Sequence, residues 1–79
     1  MKCKICGGEI NHPLIENYYG NNPYPVRTGE DDRCCDMCND VIVVPIRIRL
    51  VGTPREDVES IAEKLNDIKF TDLIEIARF

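Results

Sequence analysis

The chain has 79 residues, 43% of them apolar, and a formal net charge of −4. That charge disfavours a general nucleic-acid binder, which needs a basic surface to displace counterions from phosphates. The longest strongly apolar stretch, Val41 to Val44, is far too short to cross a bilayer, and so short a chain buries a core so small that it ordinarily needs a metal, disulfides or a partner chain.

In chain order, the first feature is that staple. Cys3 and Cys6 form one Cys-x-x-Cys pair, and Cys35 and Cys38, within RCCDMCND, form a second. Two intervening residues let one tight turn present both sulfurs to the same ion, and two such pairs complete the soft donors of a tetrahedral site. One structural Zn2+ per chain on Cys3, Cys6, Cys35 and Cys38 is therefore expected, with another metal such as iron, or disulfides, as competing readings. Metal binding of this kind contributes on the order of 10 kcal/mol to folding where the unfolded chain has no preformed site. Gly7 permits the positive φ that turns backbone N–H groups toward thiolates, and Asn39, after the second pair, tolerates the same region. The opening MKCKICGGEI holds no apolar run of signal-peptide type, so a cytoplasmic location is expected.

Between the pairs, NHPLIENYYGNNPYPVRTGEDDR is dense in turn residues and should hold a hairpin and loops. Leu14, Ile15, Tyr18 and Tyr19 are its apolar cluster and are expected to cover the metal site. Tyr18, Tyr19 and Tyr24 could instead stack on bases, but only Arg27 interleaves a basic charge, which favours packing. His12, the single histidine, is surplus to a shell of four thiolates, and a nuclease-type site begun by Asn11-His12 would need a further metal-binding residue beside it. Cys34 is the odd cysteine. The two-residue spacing to Cys38 belongs to Cys35, so Cys34 is read as a neighbour and not a ligand, and the acidic residues Glu30, Asp31, Asp32, Asp36 and Asp40 should disfavour its thiolate. That acidic rim reads as a solvated loop, with a docking surface for a basic partner as the alternative.

In a treble clef the second cysteine pair sits at a helix N-terminus, whose dipole and free N–H groups favour thiolates, and Asp36 and Asp40 suit that first turn. The β-branched run Val41-Ile42-Val43-Val44 lowers helix propensity, so a strand after a zinc-ribbon knuckle competes with a short helix that stops before Pro45. The CxxCG start, NNPYPV, and RCCDxCN followed by a V/I-rich, proline-containing stretch resemble a group of small, mostly uncharacterised zinc proteins of bacteriophages and prophages. The residues that carry this resemblance are Cys3, Cys6, Gly7, Asn21, Asn22, Pro23, Pro25, Arg33, Cys34, Cys35, Asp36, Cys38, Asn39 and Pro45. It covers residues 1–45, implies a zinc-binding fold of phage type with no established activity, and makes the location the host cytoplasm.

Ile46-Arg47-Ile48-Arg49-Leu50-Val51 alternates with period two and reads as a half-buried strand. Thr53 is the expected N-cap of a following helix, with Pro54 as its first residue and Glu56 completing a capping box. Val58, Ile61, Ala62 and Leu65 form its apolar stripe, set to pack on the isoleucine face of the strand, and Asn66-Asp67 marks its exit. For FTDLIEIARF a second helix capped by Thr71 is the alternative to a second strand; the strand is preferred, parallel to the first, with Glu75 facing Arg47 or Arg49.

The expected fold class is thus α+β: a treble-clef or zinc-ribbon-like four-cysteine module over 1–45 and a β-α-β unit over 46–79, packed as one domain. A second copy pairing through the sheet edge would complete so small a sheet. The functional expectation is a zinc-stabilised, non-enzymatic protein-interaction or regulatory module with a protein partner. The alternative is a nucleic-acid-binding zinc protein using the Arg47/Arg49 face, and no membrane association is expected.

Overall fold

From Asp36 onward the chain is a succession of helices in the computed structural model, which describes residues 1–78. Helix α1 covers residues 36–49 in three consecutive pieces: an α-helical turn Asp36–Cys38, a π-helical stretch Asn39–Val43 and an α-helix Val44–Arg49. Helix α2 is Arg55–Asn66 and helix α3 is Phe70–Arg78. The N-terminal half is turns and loops joined by isolated bridges, Lys2 with Glu9, His12 with Ile15 and Asn21 with Cys34, and no strand occurs among the described residues.

The β-α-β expectation, and with it the α+β class and the sheet edge offered to a second copy, is therefore overturned. Residues 46–49 continue α1 and Leu50 and Val51 form the turn after it; Ile46 is buried while Ile48 is 66% exposed, the reverse of a strand burying both on one face. The buried face of α1 is Cys38, Ile42, Val43 and Ile46, a helical spacing. A propensity penalty of roughly 0.5 kcal/mol per β-branched residue is exceeded by about 1.5–3 kcal/mol for each such side chain buried. Nor does α1 stop before Pro45. Proline has no N–H for the carbonyl four residues back and crowds it, and the wide π-helical turn lies directly ahead of Pro45, where such a mismatch is taken up.

The last segment is helical too, with Leu73 and Ala77 buried and Phe70 and Ile74 packed against the core at i, i+3, i+4 and i+7. Phe79, the end of the expected strand, lies outside the described residues. Helix α2 matches its expected span and exit, and its Leu65 and Ile61 join the core, but its N-cap is Pro54, with no side-chain cap from Thr53. One cluster, running from Cys3, Ile5 and Ile10 through Val26, Ile42, Val43 and Ile46 to Leu65, Leu73 and Ala77, draws on both halves of the chain.

In place of a sheet, arginines lace the segments together through backbone carbonyls. Arg27 donates from Nη1 to the Leu65 carbonyl and from Nη2 to that of Ile68, both at 2.8 Å, holding the exit of α2. Arg47 donates to the carbonyls of Tyr24 and Asn22, both at 2.8 Å, and Arg33 to those of Tyr19 and Gly20 at 3.0 and 3.1 Å. Arg49 donates to the carbonyls of Ile76 and Ala77 in the last turn of α3. Arg47 and Arg49, two positions apart on a helix, do not form the shared strand face on which the nucleic-acid alternative rested. Glu75 pairs with Arg78, three residues on, at 3.7 Å and not with either of them.

Because one guanidinium fork holds two carbonyls at the α2 exit, Arg27→Ala is expected to cost about 2 kcal/mol, or roughly 10 °C in melting temperature for a chain of this size. Arg27→Lys should recover less than half of that, since an ammonium is a point donor. Thermal unfolding of the metal-loaded protein followed by circular dichroism reads both.

Candidate metal centre

The N-terminal knuckle is a tight turn closed by the Cys3 N–H on the Gly8 carbonyl at 2.7 Å and the Gly7 N–H on the Cys3 carbonyl at 2.9 Å. Inside it the N–H groups of Ile5 and Cys6 both point at Cys3 Sγ, and that of Gly8 at Cys6 Sγ, each at 3.4 Å. Gly7 has φ +78°, the left-handed conformation its position called for. Donors aimed at sulfur stabilise a thiolate and fix its direction.

The second pair is placed by α1. Cys35 is its N-cap, extended at φ −74° and ψ 167°, and its carbonyl accepts the Asn39 N–H at 3.0 Å; Cys38 lies buried in the first turn. The positive end of the helix thus faces the sulfurs. Asn39 is right-handed helical at φ −59°, so the left-handed geometry it tolerates is not used. The turn is pinned from outside by Asp36, whose Oδ1 accepts the Tyr18 hydroxyl at 2.5 Å and the Asn21 amide at 2.9 Å. These two bonds, Tyr18 first, hold the Asp36 carboxyl below its usual range, and the same Asp36 contact pushes the Tyr18 phenol up.

The four expected ligands converge. The sulfurs of Cys3, Cys6, Cys35 and Cys38 all lie within 4.8 Å of one another, and Cys6 Sγ and Cys35 Sγ are 3.8 Å apart. An ion about 2.3 Å from each of four tetrahedral sulfurs sets them about 3.8 Å apart, so the donor set fits a metal of that size. Burial by itself would raise the Cys3 pKa, but backbone N–H donors led by Cys6 outweigh it and bring it to about 7. Burial pushes the Cys6 thiol up, against the Gly8 N–H, and pushes Cys38 far up, with neighbouring thiols adding to it.

The other candidates stand apart. Cys34 is fully buried, its N–H and carbonyl paired with those of Asn21 at 2.9 Å, and its thiol is pushed up to about 11, first by burial and then by the charges of Cys3 and Cys35. The shift has the expected direction, but burial and the neighbouring cysteines drive it, and not the acidic loop. His12 lies outside the cluster; its Nδ1 accepts the Leu14 N–H at 3.1 Å and its ring leans on Tyr18 at 5.3 Å. Of the apolar group expected to cover the site, only Tyr18 packs against the core, while Leu14, Ile15 and Tyr19 are exposed. The Tyr18–Asp36–Asn21 network was not foreseen; an acidic residue in the first turn of a helix signals a dipole partner but not which side chains will reach it.

The chain matches no family model, no curated protein and no solved structure.

Two outcomes follow from this geometry. Cys35→Ser should lower bound metal well below one ion per chain, whereas Cys34→Ser should leave it at one, as read by elemental analysis of the purified variants. Since burial keeps the Cys6 and Cys38 thiols protonated near neutrality, metal uptake at pH 7 should release about two protons or more, so affinity climbs as pH rises and falls as pH drops. Titration calorimetry in buffers of different ionisation enthalpy counts them.

Proposed function

We propose that the chain is a small module stapled by one structural zinc ion, acting through contacts with protein and not through catalysis. The observation that carries this reading is the convergence of four sulfurs from two distant turns at tetrahedral spacing. Four thiolates suit zinc above other common divalent ions, and they leave no coordination position for a substrate or an activated water. The remaining reactive groups favour the same reading: the Cys34 thiol is buried with a raised pKa, and His12 has one nitrogen engaged by the backbone. The metal's work is conformational. It binds the knuckle of residues 3–8 to the start of α1, and α1 in turn carries α3.

The likeness of residues 1–45 to phage zinc proteins accords with a small regulator encoded by a phage and working in the host cytoplasm on a protein target. Docking of a basic partner on the acidic rim around Asp31 and Asp40, both exposed, is compatible with the net charge of −4.

Native mass spectrometry of protein expressed without added metal should show one zinc per chain with every cysteine reduced. Stripping that zinc should unfold most of the chain, because binding free energy on the order of 10 kcal/mol exceeds what so small a core supplies. A zinc-free chain with an unchanged melting temperature would overturn the structural role, and an affinity pull-down that recovered nucleic acid alone would overturn the protein-contact role.

A further inference from the structure

The four sulfur ligands are not equally reachable. Cys3 and Cys38 are 2% and 0% exposed, whereas Cys6 and Cys35 are half-buried, so solutes meet these two first. They come one from each turn, and their Sγ atoms are 3.8 Å apart. The residues after Cys6 leave its sulfur uncovered: a Cβ at Gly8 would stand 3.4 Å from Cys6 Sγ, and one at Gly7 would meet nothing within 4 Å. Backbone and side-chain bonds hold the two turns together as well. The Lys4 N–H donates to the Arg33 carbonyl at 2.8 Å, joining the knuckle to the segment that leads into Cys35, while Cys34 pairs with Asn21 and Asp36 is pinned by Tyr18 and Asn21.

We propose that Cys6 and Cys35 form a peroxide-sensitive modification site, at which oxidation exchanges the metal staple for a covalent one. Susceptibility to oxidation follows thiolate character and exposure, and these two sulfurs combine both when they serve as ligands. The oxidant is a hydroperoxide, in the simplest case hydrogen peroxide. One peroxide oxygen passes to the thiolate of Cys6, which supplies the electron pair and becomes the sulfenic acid. The other oxygen leaves as hydroxide and takes a proton from solvent to become water. The Cys35 thiolate then attacks the Cys6 sulfur, forming the S–S bond and breaking the S–O bond, and the hydroxide expelled takes a second proton. Two thiolates, one hydrogen peroxide and two protons thus become one disulfide and two waters. Cys3 and Cys38 alone no longer complete the shell, so the ion is set free.

Geometry favours the cross-linked product over its rivals. A disulfide within either Cys-x-x-Cys pair needs the sulfur of Cys3 or Cys38 to leave its buried seat, and Cys3 Sγ is held there by the N–H groups of Ile5 and Cys6. Cys34 is fully buried behind the cluster. The consequences differ too. A Cys6–Cys35 disulfide ties the knuckle to the start of α1 across 29 positions, as the ion does, and constrains the unfolded chain accordingly. A disulfide within one pair would close a single turn and leave the two halves of the chain unjoined.

The inference rests on the zinc-stapled reading, since the ion is what the disulfide replaces. The zinc-loaded chain is treated with excess hydrogen peroxide, its zinc release is followed with a chromogenic chelator, and its disulfides are mapped by mass spectrometry after acid quenching and alkylation. One zinc per chain should be released, the mass should fall to about 2 Da below that of the reduced metal-free chain, and the cross-linked peptides should be those of Cys6 and Cys35. The oxidised chain should keep most of its helical circular dichroism, whereas chelation without peroxide should abolish it. Reduction by a dithiol in the presence of zinc should restore the starting mass and metal content. Cys34→Ser should give the same cross-link. A disulfide within either Cys-x-x-Cys pair, one through Cys34 or between two chains, or a zinc-loaded chain left unchanged by the peroxide would overturn the proposal. Metal content before treatment separates the two readings: a chain purified without zinc that still forms the Cys6–Cys35 disulfide refutes the metal reading alone, and a zinc-loaded chain that gives another product refutes the exchange alone.

Discussion

Four sulfurs drawn to one point are the constraint on which the rest of the structure depends. Cys6 and Cys35 stand 3.8 Å apart although 29 positions separate them in the chain. Thiolates that close repel one another, and two of the four, Cys3 and Cys38, are buried, so the arrangement is costly without a cation and strongly favourable with one. Everything between the pairs is then a closed loop, and the entropy of closing it is met at the cluster. The N–H groups trained on Cys3 and Cys6 and the helix N-terminus behind Cys35 and Cys38 prepare the site from both sides.

Away from the cluster the chain has few regular pairings to satisfy its loop backbone. Buried carbonyls must nonetheless find donors. Here arginine serves: Arg27, Arg33, Arg47 and Arg49 each reach across to carbonyls of a different segment, two at a time. Among the described residues no buried side-chain nitrogen or oxygen is left without a partner. The planar fork suits this use better than an ammonium would, since it spans two neighbouring acceptors at once. The other two arginines, Arg55 and Arg78, lie at the surface and pair with Glu59 and Glu75.

What was legible in the sequence was local. The Cys-x-x-Cys spacing found the four converging residues, Gly7 found its positive φ, and the stripe Val58, Ile61, Ala62 and Leu65 found α2 and its end at Asn66. What was not legible depended on context. Six alternating residues, 46–51, fit a strand as well as a helix, and the deciding neighbours, Ile42 and Val43, lie upstream in a run whose β-branching argues for a strand. Pro45 looked like a terminator, and only the π-helical turn ahead of it lets the helix pass. The helical spacing of Phe70, Leu73, Ile74 and Ala77 was present but was overlaid by the shorter alternation of Ile74 and Ile76. The arginine contacts join residues up to 41 apart in sequence and leave no local trace.

The resulting picture is of a four-cysteine cluster, positioned to bind a metal ion, that joins the N-terminal knuckle to the start of one helix. Among the described residues no helix is long and apolar enough to cross a membrane. The central claim is the four-thiolate metal site, and X-ray absorption at the metal edge tests it most directly. The account predicts a zinc edge with four sulfur scatterers at about 2.3 Å and no nitrogen or oxygen in the first shell. A nitrogen scatterer from His12, fewer than four sulfurs, or an iron edge in place of zinc would contradict it.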